Sequence, residues 1–481
     1  MAGPTVILNA DGLRARAADP ARYRRWVEQV RQAGCCEQPV RLVGRVEEAD
    51  LATGEVRRTY TSKAEPDGVT FKACGNRRAS CCRPCSEVYR RDAWHLVAAG
   101  LRGGKGVPAG VAEHPRLFVT FTAPSFGPVH SRREHGATVR PCHPRSPNAR
   151  CPHGCPAACW RRHEANDQDL GEPICPDCFD YQAAVIWNAL APALWRRTTV
   201  YLRRELARAA GLTPAKLAEA VRVSYAKVAE YQRRGVVHFH ALVRLDAAGD
   251  GAGEIEPPPP QFTTEVLEQA VREAARRVAM PWPGRIEASG ASLAARWGDQ
   301  LEIHRITATH GAEDLSAEAV AAYIAKYATK SAEEFGGLDH RVRGPDIEHQ
   351  DLGEHVARLV RACWSLGGRP EFAGLRLRQW AHQLGFGGHF LTKSRRYATT
   401  FGALRRARAE HAIRVRFNGD PRDAWGRSAG AGGVVILAQW RFAGRGYTTP
   451  ADTDLAGVMA EEARVRRRVA HEESRTTTAC A

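Results

Sequence analysis

Apolar and polar positions recur along this chain with two periods, and each change of period marks an element. In the first ~35 residues Tyr23, Trp26 and Val30 recur at helical spacing on a charged background. From Val40 to Phe71 short alternating runs predict strands, with cysteines on both sides. Residues 84–100 predict a helix that opens at Pro84 and stops at Gly100, and LRGGKGVPAG (101–110) reads as a linker. RLFVTFTA (116–123) alternates and predicts a strand. Residues 130–180 hold no sustained period and are rich in Cys, His and Pro, which suggests an insertion pinned by metal. Helical spacing returns over 181–209, Gly211 stops it, and Thr213-Pro214 starts another helix to about Val221.

Two strands follow, 224–231 and 236–245, joined by a turn at Gln232-Arg233-Arg234-Gly235. The Pro run at 257–260 marks residues 246–261 as a loop. A helix at 263–279, a strand at 300–306 and a helix at 315–331 complete the centre. Beyond them, residues 371–420 carry ten Lys/Arg against three acids, and the terminal AEEARVRRRVAHEESRTTTACA predicts a charged helix that frays.

Composition adds a partner class. The net charge of +17 implies a polyanion, nucleic acid being the commonest, although a GC-rich coding sequence also enriches Arg. No run of about 18 apolar residues exists, so no membrane helix is expected. The first twenty residues lack a basic segment followed by an apolar one, so a cytoplasmic location is expected. In that reducing compartment fourteen cysteines point to metal rather than disulfides.

Residues i and i+2 of a strand share a face, so His238 and His240 in VVHFHALVR project together while Phe239 turns to the opposite side. A hairpin returns Glu230 to that face. Two imidazoles and a carboxylate form a donor set for Mg²⁺, Mn²⁺ or a similar ion, whereas the plainer reading of Glu230 is a surface ion pair. Tyr323 and Tyr327 are four apart in an Ala-rich helical stretch and share a face. A phenol has an ordinary pKa near 10 and needs help to act as a nucleophile. Lys326 and Lys330 each lie three residues after a tyrosine and supply positive charge; both tyrosines packing into a core is the alternative.

Cys82 and Cys85 form a C-x₂-C knuckle that Cys36 and Cys74 could complete to a Cys₄ zinc site, with Cys35 and Cys81 as substitutes. Cys175 and Cys178 form a second knuckle. Its partners come from Cys142, Cys151, Cys155, Cys159, His153 and His163, and Cys151 with Cys159 is the chosen pair. Such filled tetrahedral sites would hold structural Zn²⁺. In the basic region Lys393, Arg395 and Arg396 are candidates for phosphate contact.

Three segments together resemble one family. RLFVTFTA, VVHFHALV (236–243) and YIAKYATK (323–330) resemble, in order, the three motifs of the HUH endonucleases. With CGNRRASCCRPCSEVY, LGEPICPDCFDYQAAVIWNA and WAHQLGFGGHFLTKSRRYATT, the chain resembles the rolling-circle replication initiators of actinomycete plasmids and integrative elements over roughly residues 35–425. The resemblance implies a ferredoxin-like nuclease core with a central antiparallel sheet; with the Cys-rich zinc-binding elements and the basic, mostly helical C-terminal region read above, the expected fold is α+β. The expected regions are 1–110 (zinc-ribbon-like), 111–335 (nickase core with the Cys/His-rich insertion at 130–180), 336–430 (DNA-binding) and 431–481 (poorly ordered tail).

The resemblance also implies strand cleavage by a tyrosine, which leaves a 5′-phosphotyrosine and a 3′-OH primer. Lys326 favours Tyr323 for the first step, with Tyr327 for the second. Origin DNA, double- and single-stranded, is the implied partner, together with a host DNA polymerase. No helicase-type phosphate loop occurs in the chain, so a host helicase is expected too. A mobilisation relaxase or transposase is the rival within the same superfamily. A zinc-dependent DNA-binding regulator without catalysis is the rival outside it.

Overall fold

The computed structural model describes residues 10–51, 53–249, 255–284, 294–306, 316–330, 338, 340–344, 347, 352–416 and 434–479. Helices α1 (Ala10–Ala17) and α2 (Pro20–Gln32) precede strands β1 (Val40–Asp50), β2 (Val56–Thr61) and β3 (Thr70–Lys72) and helix α3 (Arg83–Arg102). Strand β4 (Arg116–Phe121) leads into the Cys/His-rich stretch, which carries a short hairpin, β5 (Arg133–His135) and β6 (Thr138–Arg140). Helices α4 (Tyr181–Ala209) and α5 (Pro214–Ala220) come before strands β7 (Val221–Tyr231) and β8 (Val237–Ala247). Then follow α6 (Thr264–Arg277), β9 (Met280–Pro281), β10 (Ala294–Ala295), β11 (Leu301–Arg305) and α7 (Ala317–Ala328). The last described elements are α8 (Glu354–Leu366), β12 (Leu391–Lys393), α9 (Phe401–Arg416), β13 (Val434–Arg445) and α10 (Pro450–Ala479). The architecture is α+β with antiparallel sheets.

The chain divides into two units, residues 1–92 with 402–481, and residues 93–401. This differs from the four expected regions, and strand pairing is the reason. In the first unit β13 pairs antiparallel with β1 along its whole length, from Val40 opposite Arg445 to Asp50 opposite Val434. The tail expected to be poorly ordered carries a strand, β13, before its charged helix, α10, over 434–479. Tyr447 joins Trp26, Val30 and Phe71 in this unit's core, with Ala456 and Ala460 of α10. Arg16 bridges Asp67 at 2.8 Å and Asp452 at 2.6 Å.

The second unit is built on a five-stranded sheet in the order β11-β4-β8-β7-β12. The basic segment near residue 390 is part of this sheet rather than a separate region, because Leu391–Lys393 pairs with β7. Alternation along β4, β7 and β8 splits the side chains between two faces. Leu117, Val119, Phe121, Phe239, Ala241 and Val243 pack into the core with Trp187 and Trp195 of the 29-residue helix α4 and with α6. Phe118, Thr120, Glu230, His238 and His240 lie on the other face.

That second face also carries a buried polar network at the far end of β8. Both oxygens of Asp246 are used: Arg244 donates at 2.6 and 3.0 Å, Ser224 at 2.5 Å, and His114 Nδ1 lies 2.8 Å away. Arg244 reaches the Gly100 carbonyl as well, and the Tyr397 ring covers Gly100 so closely that a Cβ there has no room. Burial alone would raise the Asp246 carboxyl, but hydrogen bonds from His114, Arg244 and Ser224 bring it down to about 2.

A carboxyl held below its unfolded pKa adds stability that is complete above that unfolded value and lost as pH falls through the folded one. The shift from 3.8 to about 2 corresponds to about 2 kcal/mol, lost between roughly pH 4 and pH 2. Asp246→Asn leaves Arg244 buried without its counter-charge and is expected to cost about 3–5 kcal/mol at neutral pH. Urea unfolding at pH 7 and pH 3 checks both: the variant is weaker at pH 7 and loses less than the parent on acidification.

Candidate active site and metal centres

The β7–β8 register sets Glu230 directly opposite His238. The turn between them closes with the Gln232 amide donating to the Val236 carbonyl at 2.8 Å and the Gly235 amide to the Gln232 carbonyl at 2.9 Å. Gly235 has φ +77°, and a Cβ on it would lie 2.4 Å from Leu359 Cδ1, so glycine is required twice over. The turn returns Glu230 to the face of the His pair. Its Oε2 lies 3.0 Å from His238 Nε2 and 2.8 Å from His240 Nε2.

Two neighbours on β4 complete this grouping. Thr120 pairs with His240 across the strands, and its hydroxyl lies 3.1 Å from His240 Nδ1. The Phe118 ring stacks on the His240 imidazole at 5.7 Å and 7°. Both were overlooked in sequence, although they share the parity of His240 in the paired motif.

Burial lowers the His240 imidazole's pKa. Burial would raise the Glu230 carboxyl, yet the hydrogen bonds and charge of the two histidines hold it at about 2. His238 Nδ1 is buried with no hydrogen-bond partner among the described residues. Two imidazole nitrogens and a carboxylate oxygen thus converge, all within 4.8 Å of one another. This donor set fits a divalent cation with coordination positions left open.

Helix α7 is capped by Ser316, whose hydroxyl accepts from the Ala319 amide at 3.1 Å. Val320, Ala321, Ile324, Ala325 and Ala328 are buried. The Tyr323 hydroxyl lies 3.2 Å from His240 Nε2, and its ring meets Phe118 edge-on at 5.7 Å. The Tyr327 ring lies 4.6 Å from that of Tyr323. Burial pushes both phenols above their ordinary pKa, and the Glu230 charge adds to this.

The ammonium groups of Lys326 and Lys330 stand 5.3 and 5.1 Å from the Tyr327 ring centre. Helical side chains lean toward the N-terminus, which carries the Tyr327 ring back over the turn that holds Lys326.

Cys36, Cys74, Cys82 and Cys85 come together as the spacing suggested, without Cys35 or Cys81. Cys36 Sγ lies 3.7 Å from Cys82 Sγ and 3.6 Å from Cys85 Sγ, and the Cys74 amide donates to it at 3.3 Å. Hydrogen bonds from Cys36 and Cys85 push the Cys82 thiol's pKa down. Cys151, Cys175 and Cys178 also converge, but their fourth member is His153, with Nδ1 3.3 Å from Cys178 Sγ. Cys159 belongs elsewhere, because a backbone bridge to His143 places it beside Cys142, with His130 and His163.

On the basic segment Lys393 spends its ammonium on the carbonyls of Ser394 and Arg395, at 3.2 and 3.0 Å. Arg396 donates to the Gly249 carbonyl at 3.2 Å, and Arg395 is exposed. A cleft of about 1120 Å³ opens where β4 ends and the β7–β8 turn begins, lined by Thr122, Phe126, Arg132, Gln232, Trp282 and Trp297 among others. No helix among the described residues is long and apolar enough to cross a membrane.

Comparison with known proteins places these features in a family. The sequence model of the family described as "Replication initiator protein, pSAM2" matches residues 22–461. A curated "Replication initiator protein" of Streptomyces ambofaciens is 40% identical over 471 residues, covering 96% of this chain and 95% of that relative. No solved structure matches.

Gly235→Val tests how far the site depends on its turn. Left-handed backbone and the clash with Leu359 are expected to cost about 2–4 kcal/mol, read as a lower midpoint in thermal unfolding. An unchanged midpoint would show that the turn tolerates another backbone.

Proposed function

The chain belongs to the replication initiator family typified by pSAM2, and from that premise we propose that it starts plasmid replication by the rolling-circle route, nicking one strand of its origin DNA with a tyrosine. The observation that carries this reading is the Tyr323 hydroxyl, 3.2 Å from the His240 nitrogen that also faces Glu230. A buried phenol with a raised pKa is a poor nucleophile unless positive charge is brought to it. Glu230, His238 and His240 would hold that charge as Mg²⁺ or Mn²⁺, and the chemistry it supplies when bound is polarisation of the scissile phosphate.

The residues divide the remaining work. Tyr323 Oη gives up its proton and attacks phosphorus, and the bond from phosphorus to the 3′ oxygen breaks. The 3′ oxygen takes up a proton and leaves as the primer end, while the 5′ phosphate stays on Tyr323. One ester replaces another, so the step is reversible and suits rejoining as well as cleavage. Tyr327, beside Lys326 and Lys330, would serve the second transfer, the ammonium groups favouring its phenolate and neutralising phosphate oxygens. Thr120 orients His240 through Nδ1, and Phe118 holds the imidazole and Tyr323 against each other.

The core belongs to the HUH type with a ferredoxin-like sheet on this reading. Exposed Arg395, between Lys393 and Arg396 that are held on backbone carbonyls, contacts phosphate, and Zn²⁺ held by Cys36, Cys74, Cys82 and Cys85 and by Cys151, His153, Cys175 and Cys178 is structural. A host helicase unwinds the duplex, and a DNA polymerase extends the 3′ end.

Supercoiled origin DNA offered with Mn²⁺ tests the proposal. The parent is expected to convert it to open circles with protein joined to a 5′ end, and mass spectrometry of the digested adduct to find Tyr323. Tyr323→Phe with Tyr327→Phe should lower nicking by on the order of a thousandfold or more while DNA binding persists. If that double variant nicks normally, the tyrosine mechanism is wrong. Thr120→Val should weaken Mn²⁺ binding by roughly tenfold to a hundredfold in calorimetry.

A further inference from the structure

Cys142, Cys159, His130 and His163 take no part in the chemistry above, and they are arranged as ligands. Cys142, Cys159 and His163 are buried. His130 Nδ1 lies 3.2 Å from His163 Nε2, Cys142 Sγ 3.9 Å from His130 Nδ1, and Cys159 Sγ 3.6 Å from His163 Nε2. Tetrahedral zinc with bonds of about 2.3 Å to sulfur and 2.0–2.1 Å to nitrogen requires its donors about 3.3–3.8 Å apart. The observed separations, 3.2, 3.6 and 3.9 Å, lie within about 0.1 Å of that range.

We infer that these four residues form a further structural zinc site, of Cys₂His₂ type. Three surrounding features point the same way. The Ser131 amide donates to Cys142 Sγ at 3.2 Å, an N–H···S contact that favours thiolate over thiol. His143 Nδ1 lies 3.2 Å from the same sulfur. His163 presents its other nitrogen, Nδ1, to Asp167 at 2.7 Å, the carboxylate–imidazole contact that orients a ligating histidine toward metal.

Asp167 and Asp169 are not ligands of a competing site with His163, since Arg161 pairs with both carboxylates. Zinc binding releases the two thiol protons and leaves each imidazole neutral, with Nε2 of His163 and Nδ1 of His130 as donors.

The order of donors along the chain adds a second layer. Residues 130 and 142 serve this site, 151 and 153 the other cluster, 159 and 163 this site again, and 175 and 178 the other. The pairs interleave, so the two ions cross-brace one stretch of chain. That stretch holds only one short β-hairpin among its regular strands and few apolar residues. Metal takes the place of a hydrophobic core there. Backbone bonds from His130 to Glu172 and from Gly171 to His130, both 2.8 Å, extend the brace to the wall of the cleft, which His130, Arg132 and Gly171 help to line.

Native mass spectrometry with elemental analysis of the full chain, purified without chelator, tests the inference. The expected content is three zinc ions per chain, and Cys142→Ser with Cys159→Ser should lose one. Cys159→His keeps a ligand and should retain three, so it guards against misfolding of the double variant. Cobalt substitution should show a charge-transfer band weakened in the double variant, since fewer thiolates then bind. Equal zinc in parent and double variant overturns the inference, as does a parent that carries a Cys142–Cys159 disulfide. Neither result bears on nicking, which is read separately.

Discussion

The register of one β-hairpin governs the candidate site. A strand has a side-chain period of two, so a slip of one residue between β7 and β8 would turn Glu230 away from both histidines. The five-residue turn prevents it: Gly235 takes the left-handed backbone and leaves room for Leu359. From that register the rest follows by pairing. His240 falls opposite Thr120 on β4, and the face shared by Phe118, His238 and His240 is where α7 delivers its tyrosines. The same face ends in the Asp246 network, so one strand, β8, carries the candidate chemistry at one end and a buried polar anchor at the other.

Legibility in sequence followed the range of the interaction. The His pair, Glu230 across a short turn and the tyrosines on one helical turn are all local patterns, and the structure brings those side chains together. The Cys₄ cluster was readable because a C-x₂-C knuckle constrains two of its four members. The partners of the second knuckle were not. Cys159 lies closer in sequence to Cys155 than to Cys142, and only the bridge to His143 decides its neighbours. The basic strand at Leu391 and the strand at Val434 look like loop and tail in isolation, since each gains its hydrogen bonds from a strand far away in the chain. Alternation along β7 sets Lys227 opposite Ala241, on the core face. It is buried over the Phe239 ring at 3.9 Å, and burial pushes its pKa down to about 7.

Charge is distributed with a consistent logic in the second unit. Arg244 and Asp246 are buried together, with each charge answered by the other and by neighbouring dipoles. At the His pair one carboxylate faces two imidazoles and two phenols, so the site has acceptors in excess of fixed positive charge. Burial raises both phenols and the Glu230 charge adds to it, and the converging donors fit a cation. The two ends of β8 therefore differ in kind: one pairs its charges within the chain, the other gathers a carboxylate and two imidazoles into a donor set.

The pairing of β1 with β13 carries a consequence for how the protein comes into being. Tyr447 donates to the carbonyl of Cys36, 411 positions earlier, and Arg16 reaches Asp452 across 436. A ribosome making roughly 5–20 residues per second spends about 20–80 s between those two partners. Within that interval the second unit gains its last strand at Leu391–Lys393, before β13 is made, while the N-terminal strands wait with an open sheet edge and uncovered cysteines. The first unit is thus the first to be started and the last to be closed, and a chain truncated before residue 434 lacks the strand and helix that finish it.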